Sequence, residues 1–486
     1  MFLKRFPLHF LLLLLFFLLH GYSENIGLIP FKDLLIFFLV GALTGFLFFL
    51  LFKKITRSPI KAGIITTIAF LFYLFYGSIK DALKGGAFNL LSRYSILLPL
   101  MLVIIVALCI YFRRTKKDFP RLNFFINCVL LVYLVVDVAT IAVRGPGSPV
   151  VPATARQSYT KCDTCTRPDI YLIVMDEYSG SRMLRDFFHY NNEPFETALR
   201  QKGFFVAAKP SSNYSATPVS IASLFAMDYM PAFHRKLVAE DYTRSENIVN
   251  QSATMQLLND HGYRFMNHSI FNLGGQPGQF KTDLLPMRLR LITAKTMWNS
   301  INTDLGWQIH IKLAPRIKWL AFLLQDDYKD GNQRLLRLTN NATSVKDTQP
   351  RFIYTHVLMP HWPYLLDSMG KETGINFYSP GITGIQRQTT YVQYLAYTNK
   401  VMLKMVDTIM HNSNQQAAII LMSDHGYRDR PEQICRDVND NFTSVYLPGK
   451  NYQQFYDSIS NVNLFRAFLN TTFNQRFARL PDQCIF

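Results

Sequence analysis

Five apolar runs crowd into the first 143 residues: Leu8–Leu19, Leu34–Phe52, Ala62–Tyr76, Ile96–Phe112 and Phe124–Val143. A helix needs about 20 such residues to cross a bilayer, and most of these runs approach that length. The first is the shortest and follows Lys4 and Arg5, as the core of a signal peptide does. His20-Gly21-Tyr22-Ser23 behind it offers no small-x-small cleavage site, so a retained helix is expected.

The charges between the runs orient them. Lys4 and Arg5, then Lys53, Lys54, Arg57 and Lys61, then Arg113, Arg114, Lys116, Lys117 and Arg121 fall on one side of alternating spans. Only Lys32, Lys80, Lys84, Arg93 and Arg144 fall on the other. Short cytoplasmic loops carry the excess of Lys and Arg, so five crossings put the N-terminus inside and export everything after Val143. Of the net charge of +18, +11 lies in the stretch up to Arg144. That placement speaks for membrane orientation and against a nucleic-acid partner, because no basic surface interleaved with aromatics and no recognised nucleic-acid module is present. Asp137, inside the last run, is expected near the outer interface close to Arg144.

From Arg144 to Arg167 the composition turns to Gly145-Pro146-Gly147-Ser148-Pro149, Pro152, Thr154 and Ser158, which reads as an extended tether. The expected organisation is a transmembrane domain over 1–143, a linker over 144–168 and an exported domain over 169–486. About 320 residues suffice for one large core. Cys162, Cys165, Cys435 and Cys484 lie in the exported part, an even number that fits one or two disulfides in an oxidising compartment; a four-cysteine zinc site is the alternative.

Asp169–Met175, Arg351–Leu358 and Ala417–Met422 are short, nearly continuous apolar runs, as expected of parallel strands buried on both faces. In Tyr391–Met410, Val392, Leu395, Asn399, Met402, Val406 and Ile409 recur at helical spacing. The fold class expected is α/β with a mainly parallel sheet flanked by helices. Chemistry in such sheets gathers at the carboxyl ends of the strands. Asp176 and Glu177 follow the first strand, and Asp424 and His425 follow the third, so four potential ligands for a divalent cation share one edge. Thr217-Pro218 reads as a helix N-cap and first helical position, with Ile221, Leu224 and Phe225 facing inward. A hydroxyl there sits where a helix terminus favours an anion such as phosphate, and a nearby cation would activate it as a nucleophile.

Four motifs carry a resemblance: strand-Asp176-Glu177; Asn213-Tyr214-x-x-Thr217-x-x-Ser220; His356-x-x-x-Pro360-His361-x-Pro363-Tyr364; and Ser423-Asp424-His425-Gly426. In this order the chain resembles the alkaline phosphatase superfamily, specifically membrane-anchored sulfatase-like hydrolases and transferases such as phosphoethanolamine transferases and lipoteichoic acid synthases. The resemblance implies an alkaline phosphatase-like exported domain behind five membrane helices, in the bacterial inner membrane with the catalytic side periplasmic. It implies Asp176, Asp424 and His425 as metal ligands, Thr217 as nucleophile and fourth ligand, and Glu177 as a further ligand candidate. His361, in a proline-flanked loop, matches a histidine near the substrate phosphate and is suited to protonate a leaving alkoxide. His356 is a substrate-side candidate whose alternative is a satisfied strand histidine.

Two departures shape the expectation. Sulfatases proper mature the cysteine of a Cys-x-Pro-x-Arg motif, and Thr217 stands at that position with no arginine following in the motif, which turns the reading away from sulfate esters. Phosphoethanolamine transferases carry another histidine about a dozen residues after Asp-His-Gly, whereas none follows His425 here. Arg428 or Arg430, just after Gly426, is a candidate to supply positive charge to phosphate oxygens instead, with solvated surface arginines as the alternative. The expected activity is transfer of a phospho-substituent, of phosphoethanolamine or glycerol phosphate type, from a membrane phospholipid to an envelope glycan or lipid. A divalent ion (Zn, Mn, Mg or Ca) is the expected cofactor. Hydrolysis at the same site and a catalytically silent membrane binding protein are the alternatives.

Overall fold

A computed structural model of the chain describes residues 2–26, 28–145, 158–230, 233, 237–280, 287–308, 328–345, 347–375, 382–430 and 434–485. Of the tether expected over 144–168, residues 146–157 lie outside them. The chain divides into two compact units: residues 1–150 with 285–316, and residues 151–284 with 317–486.

In the first unit all five apolar runs form helices, but of unequal reach. Phe31–Thr56, Tyr94–Arg114 and Pro120–Arg144 are long and apolar enough to cross a membrane, and Pro59–Leu74 with Tyr76–Leu83 makes a fourth candidate span bent by 67°. His9–Glu24 has 16 residues, about 24 Å of helix against a hydrocarbon core of about 30 Å. Asp137 pairs with His20 Nδ1 at 3.1 Å, while Arg144 Nη1 donates to the Ser23 carbonyl at 2.8 Å. Both side chains of helix Pro120–Arg144 thus reach helix His9–Glu24, and Asp137 finds an imidazole as its polar partner in an apolar setting.

Residues 285–316, inside the range expected for the exported domain, belong to the first unit. Leu289 and Ile292 are buried there among Leu14, Phe17, Leu34 and Leu74. Ion pairs join Arg288 to Asp33, Lys295 to Asp81 and Lys80 to Asp304. The sequence signals of this stretch are helical but not apolar enough to mark it as part of a membrane block.

The second unit is built on a six-stranded mixed sheet in the order β2-β6-β5-β1-β4-β3. The strands are β1 (Ile170–Met175), β2 (Phe205–Val206), β3 (Arg264–His268), β4 (Arg351–Val357), β5 (Ala418–Ser423) and β6 (Thr443–Tyr446). β3, β4, β1 and β5 run parallel, whereas β6 pairs antiparallel with both β5 and β2. Alternate residues of β1 enter opposite cores. Ile170, Leu172 and Val174 pack with Ile221, Phe225 and Phe465, and Tyr171, Ile173 and Met175 pack with Leu395, Met402 and Val406. This double burial explains the unbroken apolar run. Helices Thr217–Ala226 and Asn461–Thr472 cover one face, and Gly384–Asn412 covers the other. Two disulfides, Cys162–Cys165 and Cys435–Cys484, fix the pairing that the sequence left open.

Candidate active site

Strand register assembles the site. Met175, the last residue of β1, pairs with Val357 of β4 on one side and Ser423 of β5 on the other. Asp176 and Asp424 therefore leave neighbouring strands at the same level, and His425 follows at once. Asp176, Asp424 and His425 each offer an atom within 4.8 Å of the others. His425 Nε2 lies 3.5 Å from Asp176 Oδ1 and 3.3 Å from Asp424 Oδ2. Its Nδ1 donates to the Gly426 carbonyl at 2.8 Å, which turns the Nε2 lone pair toward the carboxylates. Asp424 is held from behind, where its carbonyl accepts Ser220 Oγ at 2.6 Å and Asn461 Nδ2 at 3.1 Å.

Thr217 reaches the same point. The helix N-cap is Ala216 and Thr217 is the first helical residue, so the helix starts one position earlier than the sequence suggested, with no side-chain cap bond. The hydroxyl is thereby released from capping and stands 3.2 Å from His425 Nε2.

The residues present fit a divalent cation. Asp176 Oδ1 and Asp424 Oδ2 are buried polar atoms without a hydrogen-bond partner, an arrangement that costs free energy unless a cation or proton satisfies it. Burial, and then the Asp424 charge, push the Asp176 carboxyl far above the usual carboxylate range. Burial, and then Arg428, keep His425 well below 6.5, so its imidazole is neutral and able to donate a lone pair.

Glu177 and the two loop histidines are placed differently from the ligand trio. Glu177 lies outside the three-residue cluster; it has φ of 62°, which turns its carboxylate toward another group of side chains. Its Oε1 accepts the Arg428 backbone N–H at 3.0 Å, and its Oε2 is 3.9 Å from His361 Nε2. Arg428 Nη2 stands 3.3 Å from His361 Nε2, and Nη1 donates to the Ser215 carbonyl at 3.1 Å. Burial disfavours charge on His361, but Asp176 and then Glu177 outweigh it and raise its pKa from 6.5. The approach of the Arg428 guanidinium instead requires an unprotonated Nε2. The imidazole is drawn toward both states, which suits a group that gives a proton and takes one back.

His356 is fully enclosed, with Nδ1 bonded to Tyr354 OH at 2.9 Å and Nε2 3.8 Å from Asp176 Oδ2. Burial lowers its pKa to about 4. It backs Asp176 and has no surface to present to a substrate, so the substrate-side candidacy passes to other residues. Those line an open pocket of about 300 Å³: Glu177, His361, Trp362, Tyr364, Arg387, Arg428 and Asp429. Arg387 lies over the Trp362 ring, 4.8 Å from its centroid, and pairs with Asp429. Sequence reasoning missed Arg387 and Asp429. One sits near the start of a long helix and the other in a charge run, where nothing distinguishes them from solvated residues. Arg430 turns away to pair with Asp437 and cover Phe187.

A model of the sulfatase family matches residues 168–472. Similar solved structures include the C-terminal periplasmic domain of EcEptC from Escherichia coli in complex with Zn, at 13% identity, covering 65% of this chain and 85% of that one, TM-score 0.41. The integral membrane lipooligosaccharide phosphoethanolamine transferase A from Neisseria meningitidis is similar at 11% identity over 97% of this chain and 95% of that one, TM-score 0.40. The phosphonate monoester hydrolase of Agrobacterium radiobacter is similar at 14% identity over 64% and 74%, TM-score 0.39. No curated protein matches the chain.

Proposed function

The chain belongs to the sulfatase family of enzymes, and from that premise we propose that it moves a phospho-substituent from a membrane phospholipid to an envelope glycan or lipid acceptor, with Thr217 as the covalent carrier. The observation that carries this reading is the Thr217 hydroxyl, uncapped and 3.2 Å from His425 Nε2, beside two orphaned carboxylate oxygens. Asp176, Asp424 and His425 would hold the divalent ion, with Thr217 beside them. Bound there, the ion supplies the positive charge that favours the deprotonated hydroxyl and offsets charge on the phosphate.

The chain's own groups account for the remaining steps. Thr217 Oγ1, its proton released to solvent beforehand, attacks phosphorus, and the bond to the lipid alcohol breaks as the Oγ1–phosphorus bond forms. Arg428 faces the non-bridging oxygens with a guanidinium aligned by Ser215. His361 gives a proton to the departing alkoxide and takes one from the acceptor hydroxyl, which attacks phosphorus and frees Thr217. Apolar N-terminal spans support a lipid donor, because a domain tethered to a bilayer meets headgroups at high effective concentration.

Intact-mass analysis of the full chain incubated with phospholipid tests the proposal. The expected result is a phospho-substituted adduct on the wild type that Thr217→Ala abolishes, with headgroup label passing to an added acceptor. No adduct on the wild type would overturn the covalent route, and label passing only to water would replace the transferase with a hydrolase.

A further inference from the structure

Glu177 is a buried carboxylate in the wall of the pocket that Arg428 and Arg387 also line, which is an unfavourable place for one if the only task there were to attract phosphate. Its side chain is 6% exposed, and its backbone is left-handed at φ 62°, a conformation that is unfavourable for a non-glycine residue and persists where the surroundings enforce it. Three contacts do so. The Glu177 N–H donates to Asp424 Oδ1 at 3.2 Å, its carbonyl accepts Tyr391 OH at 2.8 Å, and its carboxylate accepts the Arg428 N–H. Asp176 and Glu177 are thereby turned into two different neighbourhoods, one toward His425 and the other toward His361 and Arg428.

Charge in the pocket is matched almost one for one. The Glu177 carboxylate faces the Arg428 guanidinium at 3.9 Å, and Asp429 faces Arg387. A phosphodiester carries one negative charge, whereas a phosphomonoester near neutral pH carries nearly two. A buried carboxylate in the wall of that pocket would repel the second of those charges, with little screening by solvent. We propose that Glu177 is a specificity residue that makes this pocket select phosphodiesters over phosphomonoesters. The inference rests on the phosphoryl-transfer reading above and adds the charge state of its substrate. Diester selection suits a donor whose phosphate is esterified on both sides, as in a phospholipid, and it spares the enzyme from inhibition by free phosphate.

The test uses the full-length protein in detergent with its metal, assayed on bis-p-nitrophenyl phosphate and p-nitrophenyl phosphate. The readout is the ratio of kcat/KM for monoester to diester, with bound metal measured for each variant. Glu177→Gln should raise that ratio by about tenfold or more and tighten inhibition by inorganic phosphate, while Glu177→Asp, which keeps the charge, should leave the ratio near wild type. Arg428→Gln, which leaves Glu177 without its guanidinium, should move the ratio the other way. A purely structural role would lower both substrates together, so an unchanged ratio in Glu177→Gln and Arg428→Gln overturns the inference alone. A metal-loaded wild type that turns over neither ester would instead overturn the phosphoryl-transfer reading and this inference with it.

Discussion

Asp176 and Asp424 set a conflict that one experiment can expose. Without a cation their buried oxygens repel each other and lack partners; with one, they become its ligands. Replacing Asp424 by Asn should therefore stabilise the chelator-treated protein while abolishing the response to added metal. For the wild type, a divalent ion at about 100 times its dissociation constant adds about 2.7 kcal/mol, a rise of about 5 °C in thermal midpoint for a unit of this size. Differential scanning fluorimetry across Zn, Mn, Mg and Ca measures both effects and ranks the metals. A wild type indifferent to all four, or an Asp424→Asn variant that still responds, would remove the ligand assignment. Asp176, Asp424, His425 and Thr217 were readable in the sequence because each follows a strand or opens a helix, where local pattern and chemistry coincide. Glu177 was not separable from Asp176, since adjacent acids look alike until a left-handed backbone sends them apart.

The elements that carry these residues were legible to the degree that their burial is one-sided or complete. β1 and β5, enclosed on both faces, announce themselves as apolar runs. β2, two residues long, and β6, antiparallel on its partner strands, have no such signature, so a sheet expected to be mainly parallel proves mixed. β3 reads Arg264-Phe265-Met266-Asn267-His268 and hides an imidazole. His268 Nδ1 meets Thr339 Oγ1 at 3.1 Å, and burial lowers its pKa to about 4. Unfolded, the same group titrates near 6.5, so between those values the unfolded chain binds more protons and stability falls as pH falls. By pH 5 the loss approaches about 2 kcal/mol from this residue. Asp440, whose carboxyl burial raises to about 6, works in the opposite direction over the acid range, so the contrast between proteins is the clean measure. His268→Gln, which keeps a hydrogen-bonding group, should flatten the dependence of the thermal midpoint on pH between 7 and 5; a slope equal to wild type would show that His268 stays solvated.

Across the whole molecule, three helices, or four with the bent pair, are long and apolar enough to cross a membrane among the described residues, fewer than the five expected. Phe31–Thr56 runs toward Lys53, Lys54 and Arg57; the bent pair Pro59–Leu74 and Tyr76–Leu83 returns to Lys80 and Lys84; Tyr94–Arg114 leads back to Arg113, Arg114, Lys116 and Lys117; and Pro120–Arg144 leaves again. If the two basic clusters are cytoplasmic, these four passes already export everything after residue 144, whether or not the 16-residue helix His9–Glu24 crosses. That helix decides only where Lys4 and Arg5 lie. The disulfides Cys162–Cys165 and Cys435–Cys484 favour the same orientation from an independent direction, because such bonds persist outside a reducing cytosol. Single cysteines in a background lacking Cys109 and Cys128 separate the possibilities. Lys84→Cys should react with an impermeant thiol reagent in intact cells, while Lys116→Cys and Lys4→Cys should react only after permeabilisation. Labelling at position 4 in intact cells, with 84 labelled and 116 protected, would make His9–Glu24 an interfacial helix and leave the catalytic unit exported. Labelling at 116 with protection at 84 would turn the enzyme to the cytoplasm, where neither an envelope acceptor nor lasting disulfides would be at hand.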